Sequence, residues 1–128
     1  MPDFHLDELT IFDNYEIEEM SDGDVTVKTK VVQSSLNYYG NAHGGYLFAL
    51  CDQISGLVAI STGYDAVTLQ SNINYLKAGH LNDVLTIVGH CIHNGKTTKV
   101  VDVIIKNQNE MSLAKATFTM FVTGPRQK

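Results

Sequence analysis

Residues 45–62 read GYLFALCDQISGLVAIST, and this run limits the fold more than any other. It has the length of a helix. Its apolar side chains occur on every side of a helical wheel rather than along one stripe, the pattern of a helix that a protein wraps. It also carries a carboxylate, Asp52, in its middle. An acid in apolar surroundings is costly unless something pairs with it or uses it. The run predicts a central helix, buried all round, that holds one acid for a reason. No segment has the ~18 or more apolar residues that a membrane span needs.

The rest of the chain reads mainly as strands. Valines alternate around Val25 and Val27, and Asp22-Gly23 is a turn pair, so residues 14–33 are expected to form a hairpin. After the helix, VTLQSNINYLK, DVLTIVGHCIH, TKVVDVIIKN and SLAKATFTMFV give four more strands. Period two is clearest in the last. There Leu113, Lys115, Thr117, Thr119 and Phe121 share one face, and Ala114, Ala116, Phe118, Met120 and Val122 the other. Ala78-Gly79, Asn82-Asp83, Asn94-Gly95 and the run NQNE supply turn chemistry. Residues 3–12 suggest a short amphipathic turn or helix pointed by Phe4, Leu9 and Phe12.

The order is strand, strand, helix, then four strands. That is an α+β protein, an antiparallel sheet wrapped around one long central helix. With 128 residues and 44% hydrophobic content, the chain suits one domain over 1–128 with a real core. One layer of sheet covers only part of a helix. A second copy is the simplest cover for the rest, so an isologous homodimer is expected.

The net charge is -5, which argues against broad nucleic-acid binding. A local group of lysines could still hold a phosphorylated small molecule. Cys51 and Cys91 form no C-x-x-C and read as core thiols of a reducing compartment. The N-terminus has neither a basic start nor an apolar stretch, so no secretory signal and no membrane are expected, and the cytoplasm is the default. His90-Cys91-x-His93 invites a metal. On a strand His90 points away from the other two, and no partner set follows at zinc spacing, so no metal is expected.

The chemistry concentrates in NYYGNAHGGYLFALCDQ, residues 37–53. Gly44 and Gly45 let a ligand approach the backbone closely. The first turn of a helix presents unpaired N–H groups and partial positive charge, a site for a carbonyl oxygen that becomes an oxyanion. The two glycines also suit a plain tight turn. Asp52 suits either a buried carboxylate paired with a lysine or hydroxyl, or a general base or nucleophile for acyl transfer. Gly44 and Asp52 are eight residues apart, about 12 Å along a helix, too far for one carbonyl to touch both. Two such helices lying antiparallel across a dimer would bring Gly44 of one to Asp52 of the other.

Asn37-x-x-Gly40-x-x-His43-Gly44-Gly45, with Asp52 nine residues after the histidine, resembles the hotdog-fold acyl-CoA thioesterases of the phenylacetate-pathway (PaaI-like) type. The resemblance runs from about residue 14 to 123 and includes SNINYLKAG and HNGKTT. It implies a hotdog fold and roles for the matching positions. Asp52 would be the general base or nucleophile. The Gly44 N–H, helped by Asn37, would polarise the thioester carbonyl, with His43 and Gly45 beside it. Thr68, from the neighbouring subunit, would orient water. Tyr75 and the stretch His93, Asn94, Gly95, Lys96, Thr97 and Thr98 would hold coenzyme A. It also implies a homodimer that often pairs into a tetramer. Coenzyme A would enter only as part of the substrate, with no separate cofactor.

A sparse site suits such chemistry. A thiol has a pKa of about 8.5, so the sulfur leaves readily as thiolate without a strong general acid. No G-x-S-x-G is present and no triad is needed. Lys77 and Lys99 could add charge toward phosphates. A hotdog dehydratase would use a histidine with a carboxylate, but His43 precedes the helix with Gly-Gly behind it, which fits hydrolysis better. A non-catalytic acyl-thioester-binding module would keep the groove but has no need of Asp52.

Overall fold

The computed structural model describes residues 14–127. The expected segment at residues 3–12 lies outside them. Six strands and one long helix follow in the order β1 (Glu16–Ser21), β2 (Asp24–Lys30), α1 (Gly44–Ser61), β3 (Tyr64–Tyr75), β4 (Val84–Asn94), β5 (Thr98–Lys106) and β6 (Ser112–Pro125). The strands form one antiparallel sheet, β1-β2-β4-β5-β6-β3, so β1 and β3 are its edges. This is the predicted α+β architecture, a hotdog fold: a curved sheet around a helix.

Local chemistry sets the boundaries. His43 caps α1, its Nδ1 accepting the Gly45 N–H at 2.9 Å. The helix closes where Thr62 N–H turns back to Ala59 O and Gly63 N–H to Ile60 O. Strand β3 starts three residues earlier than VTLQSNINYLK suggests and ends two earlier. Leu76 and Lys77 instead turn their N–H groups to the Leu113 carbonyl, at 2.8 and 3.3 Å. The alternation read in β6 holds from Ala114 onward: Ala114, Ala116, Phe118 and Met120 are buried, while Lys115 and Phe121 are exposed; Leu113, read on the face of Lys115, is buried instead.

The core lies between the helix and the inner face of the sheet. Leu50, Ile54 and Val58 of α1 meet Val25, Ile87, Val103 and Phe118 from four strands. Burying each such side chain stabilises by about 1.5–3 kcal/mol. Helix and sheet pack closely at Gly89 on β4, where an added Cβ would lie 2.8 Å from Val58 Cγ2. We expect Gly89→Ala to lower stability by about 1–3 kcal/mol through overpacking, read as a lower urea midpoint at unchanged slope. An unaltered midpoint would mean that α1 shifts freely on the sheet.

Two expectations need correction. By length and mean hydropathy, 1.2, α1 would pass for a membrane span, contrary to the reading that no segment does; the sheet makes it a core helix instead. It is also not buried all round. Gly45, Ala49, Asp52, Gln53, Gly56 and Ile60 form a partly open stripe at helical spacing, because the single sheet covers only the opposite side; Phe48 beside them packs its ring 5.5 Å from that of Phe118. Asp52 lies on that stripe and is exposed. Beside it runs edge strand β3, with Val67 55% and Leu69 62% exposed.

Candidate active site

The residues singled out in the sequence gather in three places. The first is the start of α1. His43 spends Nδ1 on the Gly45 N–H, so the proton of its neutral ring sits on Nε2. Gly44, the first helical residue, has no intrahelical acceptor for its N–H, and among the described residues no other acceptor meets it. Tyr75 closes over this point, its hydroxyl donating to the Gly44 carbonyl oxygen at 2.8 Å. A Cβ on Gly44 would lie 3.3 Å from the Tyr75 ring, so glycine is what lets ring and backbone meet. Asn37 accepts the N–H groups of Tyr39 (2.9 Å) and Asn41 (3.1 Å) through Oδ1, which folds the loop before the helix. Its Nδ2 stays available to an acceptor. Asn37, Gly44, Leu47, Tyr75 and Lys77 line one cavity of about 360 Å³.

The second place is midway along α1. Thr68 Oγ1 donates to Asp52 Oδ1 at 2.8 Å and lies 3.5 Å from Met120 Sδ. Asp52, Gly56, Val67, Thr68 and Met120 line a second cavity, of about 380 Å³. Thr68 was expected to come from a neighbouring subunit; it reaches Asp52 within its own chain. Chain geometry could have revealed this. Asp52 stands about 13 Å back from the end of α1, at 1.5 Å per residue. Only Thr62 and Gly63 separate α1 from β3, and Thr68 stands about 13 Å along that strand at 3.3 Å per residue. The two are level.

The hydroxyl fixes one carboxylate oxygen and leaves Oδ2 to the cavity. Thr68→Val keeps the β-branched shape and removes that bond. Losing one hydrogen bond to a charged group is worth about 1.5–3 kcal/mol, so kcat is expected to fall about tenfold or more with an unchanged melting curve. No change in kcat would show that Asp52 needs no such support. Cys51, next to Asp52, is no rival nucleophile. Burial, and then the Asp52 charge, push its thiol up to about 12, so it stays protonated at neutral pH.

The third place is the β4–β5 turn, which carries His93, Asn94, Gly95, Lys96, Thr97 and Thr98. Gly95 N–H donates to Thr98 O at 3.0 Å, and Thr97 O accepts the Val122 N–H at 2.9 Å. Lys96 and Thr97 project outward. His90 lies on the opposite face of the sheet, its Nδ1 2.5 Å from Asp24 Oδ1. Among the described residues no three His, Cys, Asp or Glu side chains converge as metal ligands would. Met120 was read only as part of one face of the last strand; its place beneath Thr68 depends on the β3–β6 register, which composition does not reveal.

This fold is that of a known family. Residues 39–114 match the thioesterase superfamily. The chain is 34% identical over 99 residues to the acyl-coenzyme A thioesterase PaaI of Escherichia coli K12, covering 77% of this chain and 71% of that one. Among solved structures, it is similar to a hypothetical thioesterase with coenzyme A from Streptococcus pneumoniae TIGR4: 72% identity, TM-score 0.90, 91% of each chain. A Streptococcus mutans UA159 protein bound to acetyl CoA is 63% identical, with a TM-score of 0.91, covering 96% of this chain and 99% of that one. The chain belongs to the thioesterase superfamily. Within it the chain is of the PaaI-like type, a thioester hydrolase.

Proposed function

We propose that this protein hydrolyses acyl-CoA to a free acid and coenzyme A, with Asp52 as general base and the Gly44 N–H as oxyanion donor. The observation that carries this is the Asp52 carboxylate, held outward by Thr68 on the uncovered stripe of α1, with a free N–H at the start of the same helix. Asp52 Oδ2 takes a proton from water, and the hydroxide adds to the thioester carbonyl. The oxygen becomes an oxyanion facing the Gly44 N–H and Asn37 Nδ2. The C–S bond then breaks, the proton held by Asp52 passes to the leaving coenzyme thiolate and restores the carboxylate, and the acid departs. Asp52 could instead attack directly and form an anhydride. The Thr68 bond favours the water route, because it holds one carboxylate oxygen and aims the other at the cavity.

The site is shared in this reading. The 12 Å, roughly, between Gly44 and Asp52 along α1 is bridged by a second copy. Its antiparallel helix covers the open stripe and the apolar residues of β3, giving two sites per homodimer. Tyr75 and residues His93 to Thr98 receive the coenzyme. Titrating free thiol released from a panel of acyl-CoAs tests the activity. Turnover of at least one thioester is expected; turnover of none would favour a binding module.

A further inference from the structure

We infer that Lys99 is a positioning residue for the coenzyme end of the substrate: from inside the fold it aims the β4–β5 turn outward. This rests on the reading of that turn as a coenzyme A site. Lys99 is 1% exposed. Lysines are almost never fully buried unless paired, and among the described residues no carboxylate lies within ion-pair distance of it. Its Nζ instead donates to Asn94 Oδ1, reaches the Gly95 carbonyl oxygen at 3.5 Å, and sits 4.8 Å from the centre of the Tyr64 ring. Both oxygens belong to the turn.

Peptide geometry gives these contacts a consequence. In a trans peptide the N–H points opposite to the C=O. The Gly95 carbonyl turned inward to Lys99 therefore turns the Lys96 N–H outward, beside the Lys96 side chain. A backbone donor and a cation then face one way, a combination suited to a phosphate oxygen. The turn has little freedom to lose this shape. A Cβ on Gly95 would lie 2.7 Å from both Thr98 O and His93 Nε2.

Register ties the turn to the carboxylate. Asn94 pairs with Lys99, Lys99 with Met120, and Met120 with Thr68. One row across four strands, about 14 Å at 4.8 Å per strand, runs from the turn to the hydroxyl on Asp52. The fold alone does not call for a lysine in this slot, since apolar replacement of a buried polar group with its partners is often close to neutral for stability.

The test measures coenzyme A affinity by calorimetry and thioester kinetics in wild type, Lys99→Met, Asn94→Ala and the double variant. Lys99→Met is expected to weaken coenzyme A about tenfold, the scale of one charge-assisted hydrogen bond. The KM for acetyl-CoA should rise by the same factor with kcat within about twofold, while the KM for S-acetylpantetheine, which lacks the nucleotide, stays put. The double variant should bind coenzyme A no worse than the weaker single one. Unchanged affinity in folded Lys99→Met, or an equal loss on both thioesters, overturns the inference. If Lys99→Met does not fold, Asn94→Ala cuts the same contact from the exposed side, and unchanged affinity there overturns it too. Binding is read without turnover. A protein that binds coenzyme A but cleaves nothing would end the hydrolase reading, and the Lys99→Met affinity would still uphold the inference if weakened about tenfold and overturn it if unchanged.

Discussion

Asp52→Asn is expected to lower kcat for acyl-CoA hydrolysis about a hundredfold or more, the usual cost of removing a general base. The substitution is close to isosteric. The amide oxygen it introduces would still accept from Thr68 Oγ1, so the side chain keeps its place and loses only the ability to take a proton. Asp52 is exposed on α1, so its loss leaves no unpaired charge in the core. The melting temperature should stay within about a degree or two. Thiol release and a thermal melt, run side by side on both proteins, check this. Equal rates would remove Asp52 from the chemistry.

Gly44→Pro is expected to lower kcat by about a hundred- to a thousandfold, the range for deleting one oxyanion donor. Proline is chosen because it removes the N–H and little else. Gly44 is the first helical residue, where proline is favoured. His43 already has the extended backbone that a residue before proline needs, φ -63° and ψ 135°. The new Cβ would come 3.3 Å from the Tyr75 ring, which can yield by a few tenths of an ångström because it is the far end of a half-exposed side chain. Circular dichroism should report an intact helix. Gly44→Ala meets the same ring but keeps the N–H, so it should retain most of the rate. Equal loss in both would point to crowding by the Cβ.

The strands were legible where one face is buried, because period two survives there. Strand β6 alternates from Ala114 onward for that reason, while β3, an edge exposed along most of its length, was placed two or three residues off at each end. The helix was legible from its length and apolar content, but a helical wheel cannot say which side lacks a sheet. Asp52 was accordingly pictured wrongly: it is an exposed acid on an open stripe, not a buried one. Gly44 was legible as a helix start. The Tyr75 ring against it was not, because 31 residues separate the two and only the fold joins them. Lys99 was read with Lys77 as charge toward phosphates; the inward register of β5 instead puts it inside, 1% exposed.

The same register sharpens what the helix spacing implies. Thr68 and Asp52 meet within one chain, at 2.8 Å. Asn37, His43 and Tyr75 gather around Gly44 within the same chain. In the proposed reading, a second copy brings the two ends together.

Mixed dimers test that most directly. Asp52→Asn and Gly44→Pro chains, each inactive alone, are to be co-expressed with different tags and the heterodimer purified. One of its two shared sites would carry both defects and the other neither. The account predicts about half the wild-type rate per heterodimer, as expected for one intact site in an isologous pair. A rate no greater than that of the parent homodimers would contradict it.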